Sequence, residues 1–314
     1  MTSKVTVALA GATGSLGVAV LKELLAGGVS VTVLSRKGGR SAEKLPTCPN
    51  QTIKEVDYAM EEDLTEALTG IDVVVSTLAT ESISAQSALI NAAIASGVTR
   101  FIPSEFGSDT ANTKTRNLPV YKHKVMIQDD LVKKAEQNPS FSYTLIFNNA
   151  FLDWGIRVGF LINPKVRTAT LYDGGDRPFS ATRQSTIGKA VLGVVLNLEA
   201  TKNKGVYVHD GVITQNGLIA IAKKMDPREW TTTTSITAQL ERSGYEELKK
   251  ANPDIGKAMY GFLTRAIWGQ GYGGNFTRRV DNAVLGLPVL AENEIEEIVK
   301  VAIAAPSGKN NVEF

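Results

Sequence analysis

The stretch KVTVALAGATGSLGVAVLKELLAGG, residues 4–28, decides the fold. Residues 4–10 are mostly β-branched or small and apolar, which predicts a buried strand. Residues 15–28 then carry apolar side chains at helical spacing and stop at Gly27 and Gly28. Between them lies GATGSLG, with Gly11, Gly14 and Gly17 three apart. In a strand–loop–helix context the first glycine allows a tight turn and the second lets backbone amides approach a pyrophosphate. The third lets helix and strand pack closely, and the helix N-terminus faces the anionic phosphates. As a bare string the signal is weak, and a tight turn alone is the alternative. Its context assigns Gly11, Ala12, Thr13, Gly14, Ser15, Leu16 and Gly17 to a dinucleotide.

The alternation continues outward from this stretch. VSVTVLSR (29–36), TIKEVDY (52–58), DVVVSTLA (72–79), TRFIPSEFG (99–107) and SYTLIF (142–147) read as strands. Residues 61–70, 84–97 and 122–137 read as the helices between them. Short, nearly continuous apolar strands suit a parallel sheet covered on both faces, so the fold class is α/β, a doubly wound Rossmann sheet. Residues 1–155 are expected to form the dinucleotide-binding domain. Residues 156–314 are expected to form a smaller substrate-binding subdomain interleaved with the last sheet strands. There TLYDGGDRPFS and KGVYVHDG read as short strands, residues 233–270 as two helices, and WGQGYGGNF (268–276) as a mobile glycine loop carrying aromatics. A cleft between the two parts is the expected ligand site.

The end of the second strand separates the two nicotinamide cofactors. An acidic residue about 20 positions past the glycines would bind the ribose diol of NAD. That place holds Ser35, Arg36 and Lys37. Arg36 suits a 2′-phosphate, with Lys37, Arg40 or Lys44 adding charge, so NADPH is favoured over a merely solvated basic loop. Thr77, Leu78 and Ala79 end the fourth strand and are candidates by position, and Asp57 could reach the adenine or cap a turn.

Composition narrows the partners. Among 314 residues, 34 Lys and Arg are interspersed with 32 Asp and Glu, without the basic stripe of a nucleic-acid surface. Small molecules are therefore expected. No run of about 18 apolar residues occurs, so no membrane span is expected. Cys48 is the single cysteine, which excludes an intrachain disulfide and favours a cytoplasmic location. With only two histidines beside it, no metal site is expected.

For proton transfer, PVYKHK (119–124) stands at the start of the helix after PSEFG. A Tyr-x-x-x-Lys pair would share one helix face, but Val125 stands four residues after Tyr121. Tyr245 and Lys249 fit that string yet lie far from the expected nicotinamide end. Lys122 is the leading candidate and His123, which titrates near neutrality, the second. A surface residue at a helix start is the alternative for each.

GATGSLG, Arg36, Lys44 in AEKL, FIPSEFGSD, Lys122 in VYKHKV, SYTLIFNNAF and GGNF together resemble the isoflavone reductase and phenylcoumaran benzylic ether reductase group, among the NmrA-like atypical short-chain dehydrogenases. The resemblance runs from residue 4 to about 155 and is fragmentary beyond. It implies NADPH-dependent reduction of aromatic or polyphenolic small molecules. It also implies Lys122 as the catalytic lysine, Arg36 with Lys44 as the 2′-phosphate pair, and Asn149 and Phe151 as the N-x-F near the nicotinamide. It admits a homodimer. Met126 stands where the group usually has arginine, and Thr186 opens TIG where the group has DIG.

The expected activity is hydride transfer to an enone, carbonyl or benzylic centre of an aromatic or polyketide-like substrate. Trp154, Phe160, Tyr260, Phe262, Trp268, Tyr272 and Phe276 are among the aromatics offered to an apolar pocket, about half of them expected in the core. Two alternatives remain open: a non-catalytic NmrA-type dinucleotide sensor, and a non-redox isomerase or cyclase on the same fold.

Overall fold

The structure, a computed structural model, describes residues 5–304. The first half runs β1 (Thr6–Ala10), α1 (Ser15–Ala26), β2 (Ser30–Arg36), β3 (Gln51–Val56), α2 (Glu61–Ala67), β4 (Val73–Ser76), α3 (Gln86–Ala95), β5 (Arg100–Ile102), α4 (Thr113–Arg116), α5 (Lys122–Gln137) and β6 (Ser142–Phe147). The second half continues with β7 (Ala150–Phe151), α6 (Leu152–Arg157), β8 (Thr168–Tyr172), β9 (Phe179–Thr182), α7 (Gln184–Leu196), β10 (Lys204–Tyr207) and β11 (Gly211–Ile213). It closes with α8 (Gln215–Met225), β12 (Thr231–Ser235), α9 (Thr237–Leu248), α10 (Ile255–Trp268) and α11 (Glu292–Ala304).

Seven strands form one parallel sheet in the order β10-β6-β5-β4-β1-β2-β3. This is the doubly wound Rossmann arrangement, extended at one edge by β10. The strand order reverses at β1, where Ala10 is in register with Leu34 of β2 and Ser76 of β4. Ligands of such sheets bind at the carboxyl ends of the strands beside this switch point.

One apolar cluster joins β1, β2, β4 and α1 to Ile187, Ala190, Val191, Val194 and Val195 of α7. A helix from the second half thus covers the same sheet face as α1. On the other face, α2, α3 and α5 pack through Leu64, Leu89, Ile90, Ile127 and Leu131. A third cluster, with Tyr172, Phe179, Trp230 and Trp268, holds the remaining strands and helices together.

The two helices expected within 233–270 are α9 and α10. By contrast α7, α8, α11 and β12 lie outside the elements expected from the sequence. In α7 the buried face is wide, from Thr186 and Ile187 to Val194 and Val195, while Ser185, Lys189, Leu192 and Leu196 form the more exposed side. In β12 the run TTTTS has no apolar alternation, and its strand form comes from parallel pairing with β8.

Candidate active site

A cleft of about 290 Å³ opens at the carboxyl ends of β1, β2 and β4, lined by Gly11, Ala12, Thr13, Gly14, Val33 to Arg36, Ala42, Tyr58, Thr77 to Ala79, Ser82 and Ala85. Gly11 adopts φ +82°, and a Cβ there would lie 2.7 Å from the Thr77 carbonyl oxygen. A Cβ on Gly17 would lie 2.1 Å from the Gly11 carbonyl oxygen, so α1 can start this close to β1 only with glycine. At Gly14 a Cβ would meet only the Gly11 carbonyl, at 3.4 Å, and Gly14 heads the twelve-residue helix α1. The loop is therefore built for close backbone approach, with the positive end of a helix dipole directed at it.

Arg36 is exposed at the mouth of this cleft. Tyr58 stands inside it, its hydroxyl donating to the Leu34 carbonyl at 3.1 Å; burial raises its pKa, against the pull of Arg36. Lys44 is exposed on the 3₁₀ turn Ser41–Lys44, two residues beyond the lining residue Ala42. Thr77 lines the cleft, and both its amide and its hydroxyl donate to the Ala10 carbonyl, at 2.8 and 2.9 Å. Ser15, Leu16 and Gly17 stand behind the loop. The Ser15 hydroxyl bonds the side chain of Gln184, and Leu16 packs on the α1–α7 core.

Buried polar side-chain atoms normally have partners. Ser35 Oγ, Ser76 Oγ, Asn148 Oδ1 and Asn149 Oδ1 have none, and they stand at the carboxyl ends of β2, β4 and β6. Asn149 is held in the left-handed region, φ 50°, which asparagine tolerates. Its amide donates to the Gly107 carbonyl at 2.8 Å, and Nδ2 donates to the carbonyls of Ser180 and Gly274 at 2.9 and 2.8 Å. Phe151 is half-buried, its ring edge-on to Trp154 at 6.3 Å.

Beyond the cleft wall, the Ser104 hydroxyl donates to the Leu78 carbonyl at 2.6 Å. The next residue, Glu105, receives a hydrogen bond on its backbone oxygen from Lys124 Nζ, which also reaches the Phe106 carbonyl at 3.5 Å. Lys124 is half-buried. Burial pulls its pKa below the usual lysine range, and the Glu105 charge opposes that pull. One of its three N–H donors remains uncommitted.

Lys122 stands differently. Successive α-helical residues turn by about 100°, so two positions two residues apart face nearly opposite ways. Lys122 is exposed with no hydrogen-bond or ion-pair partner among the described residues. His123 is also exposed, in a groove against α3 lined by Ser84, Ser87 and Asn91. Tyr121 is buried and donates to Ser108 Oγ at 2.8 Å.

One expectation about the second half changes. The 268–276 loop is anchored rather than mobile: Thr115 Oγ1 donates to the Tyr272 carbonyl at 2.6 Å, Asn112 Nδ2 to that of Gly271 at 3.1 Å, and the Phe276 amide to Ser180 Oγ at 2.9 Å. Of the aromatics offered to a pocket, Phe262, Trp268, Tyr272 and Phe276 are core residues. Trp268 stacks on Tyr172 at 4.3 Å, because large rings bury the most apolar area where they interlock. Among the described residues no cluster of three or more His, Cys, Asp or Glu could hold a metal ion, and no helix is long and apolar enough to cross a membrane.

The model of the NmrA-like family matches residues 2–241. The chain belongs to the NmrA-like family. A relative within reach of this NmrA-like protein is the oxidoreductase aprR of Aspergillus flavus, 34% identical over 271 residues that cover 85% of this chain and 88% of that one. The phenylcoumaran benzylic ether reductase PT1 of Pinus taeda is 28% identical over 241 residues, 72% of this chain and 77% of that one. In fold, the chain is similar to the leucoanthocyanidin reductase of Vitis vinifera, solved as a binary complex with NADPH. That likeness has a TM-score of 0.74 at 22% identity and covers 96% of this chain and all of that one.

Sequence reasoning passed over Lys124, Glu105 and Gln128. The signal was present: Lys124 lies at the i−3, i−4, i−7 and i−11 positions of Ile127, Gln128, Leu131 and Ala135, the buried stripe of α5. A lysine in register with a buried face is a better site candidate than one on the opposite face.

Proposed function

We propose that this protein is an NADPH-dependent reductase of aromatic, polyphenolic or polyketide-like small molecules, and that Lys124 rather than Lys122 handles the proton at the substrate oxygen. The observation that carries the reading is the half-buried Lys124, its ammonium tied to the Glu105 carbonyl one residue from the Ser104–Leu78 bond at the cleft wall.

The residues present fit the cofactor. Gly11 and Gly14 leave room for a pyrophosphate at the head of α1, Arg36 stands where a 2′-phosphate would pair, and unpartnered polar atoms of Ser35, Ser76, Asn148 and Asn149 await a ligand. Lys44 can add charge from its turn. When bound, the reduced dinucleotide supplies a hydride. Lys124 supplies the proton that completes the two-electron reduction, or holds the substrate oxygen through its uncommitted N–H. Partial burial brings such a lysine toward the working pH range, which suits it to acid–base work.

The test is stopped-flow oxidation of NADPH against enones, quinone methides and aromatic ketones. Lys124→Met is expected to lower turnover by about 10²- to 10⁴-fold with NADPH binding unchanged. Lys122→Ala is expected to keep wild-type turnover. The opposite pattern would return the role to Lys122. Tight NADPH binding without oxidation by any substrate would favour the non-catalytic sensor.

A further inference from the structure

We infer that Gln184 is a positioning residue for the dinucleotide: from the second half of the chain it braces Ser15, the first residue of α1, and so holds the head of that helix where a pyrophosphate arrives. This role rests on dinucleotide binding at the glycine loop and not on which lysine handles the proton.

Gln184 is 6% exposed, and a side-chain amide so enclosed persists only where partners meet it. Its partner is remote in sequence. Nε2 donates to the Ser15 hydroxyl at 2.8 Å, and that hydroxyl lies 3.1 Å from Oε1, to which it can donate in return. Ser15 follows Gly14, the N-cap of α1, and no side chain caps this helix. The first amides of a helix have no acceptor within it, and a pyrophosphate at the glycine loop takes them up. Their direction depends on where the first turn stands. Gly11 and Gly14 have no side chains with which to fix that turn, and the Gln184 bond fixes it from outside.

Gln184 can serve as a brace because α7 is itself held at its head. Its own amide donates to both oxygens of the Asp153 carboxylate, at 3.2 and 3.3 Å. The preceding amide, that of Arg183, donates to Asp210 Oδ2 at 2.5 Å, and Thr186 Oγ1 donates to Asp210 Oδ1 at 2.7 Å. Two carboxylates, one on α6 and one between β10 and β11, thus hold the start of α7. From there α7 runs beside α1 in the same direction. A Cβ on Gly188 would lie 2.6 Å from the Ala19 carbonyl oxygen, so the two backbones meet one turn after the Ser15–Gln184 bond. Any slip of α1 along α7 would break both contacts. Asp153 stands four residues past Asn149, so the brace also joins the phosphate end of the site to α6.

The experiment is an equilibrium titration of the full chain with NADPH and with NADH. Gln184→Met, similar in size but without hydrogen-bonding groups, is expected to raise both dissociation constants alike by about three- to tenfold, because the brace acts at the pyrophosphate that the two cofactors share. Ser15→Ala is expected to give the same loss, and Ser15→Thr, which keeps the hydroxyl, to recover most of the wild-type affinity. The double variant of Gln184→Met with Ser15→Ala is expected to lose no more than either alone, since the two residues make one interaction. Unchanged affinity in a folded Gln184→Met protein overturns the inference, and so do losses that add in the double variant. If Gln184→Met does not fold, Ser15→Ala is compared with Ser15→Thr, and equal affinities for these two overturn it. A wild-type protein that binds neither dinucleotide would defeat the reductase reading, whereas tight wild-type binding left unchanged by these variants defeats the brace alone, so the two fail separately.

Discussion

At the scale of single residues, the cofactor end and the reaction end of the site differ in how plainly the sequence announces them. The glycine loop is legible because each glycine answers a backbone requirement. Gly17 is the clearest case, with its missing Cβ 2.1 Å from the Gly11 carbonyl. Gly17→Val is expected to abolish dinucleotide binding in an equilibrium titration, since α1 would have to move away from β1. Arg36 was legible by its place after β2, where no acid stands. Arg36→Ala is expected to weaken NADPH binding by about 10- to 100-fold, the loss of charge-assisted hydrogen bonds, while leaving NADH binding within about twofold. Equal losses for both cofactors would show that Arg36 does not read the 2′-phosphate. The lysine proposed to handle the proton is harder to read. PVYKHK offers two lysines, and local position prefers the first; only the buried stripe of α5, a pattern spread over twelve residues, points to the second.

At the scale of elements, the glycine-rich connection after α10 shows how tertiary bonds override local composition. WGQGYGGNF looks loose in sequence because four of its nine residues are glycine. In the structure it is fastened to the sheet, to β9 and to the segment before α5. Its firmest tie is Arg279, which pairs with the fully buried Asp109 at 2.5 Å, donates to the Gly273 carbonyl at 3.1 Å and lies over the Tyr207 ring at 4.3 Å. Tyr207 in turn donates to Asp109 at 2.9 Å. Arg279 is more than a third exposed, so solvent screens the pair. Asp109→Ala is accordingly expected to destabilise the fold by about 2 kcal/mol, measured by urea unfolding, rather than the larger loss of a fully buried pair. A change below about 0.5 kcal/mol would mean that the remaining anchors hold the loop without it. Apart from Arg279 these partners are distant in sequence, which is why composition alone suggests mobility.

At the scale of the whole molecule, a buried histidine couples stability to pH. His209 sits between the sheet and the subdomain. Its backbone exchanges hydrogen bonds with Asn282, and its Nδ1 lies 2.9 Å from Ser180 Oγ. Ser180 Oγ accepts from the Phe276 amide and can also donate its own proton to Nδ1 of a neutral ring. Burial lowers the pKa of His209, with Asp210 opposing. The unfolded chain then binds the extra proton first, so stability is full above the unfolded value of about 6.5 and declines as pH falls through it toward the folded value. Thermal unfolding is expected at a lower temperature at pH 5.5 than at pH 7.5, and His209→Gln is expected to flatten that dependence. A wild-type melting temperature independent of pH over this range would contradict it. The sequence made the sheet plain but left α7, α8 and β12 unread. In α7 the buried face is unusually wide because the helix packs on α1 and on the sheet, and only Ser185, Lys189, Leu192 and Leu196 face outward.

All three tryptophans, Trp154, Trp230 and Trp268, follow residue 150, and the cluster that contains α1 and the first strands has none. Tryptophan fluorescence therefore watches the second half alone, while far-ultraviolet circular dichroism watches every helix and strand. Since α7 and β10 belong in sequence to the half that fluoresces and in space to the sheet that does not, the two signals are expected to melt together. A fluorescence transition that ran ahead of the dichroism would mean that the sheet outlives its own borrowed helix.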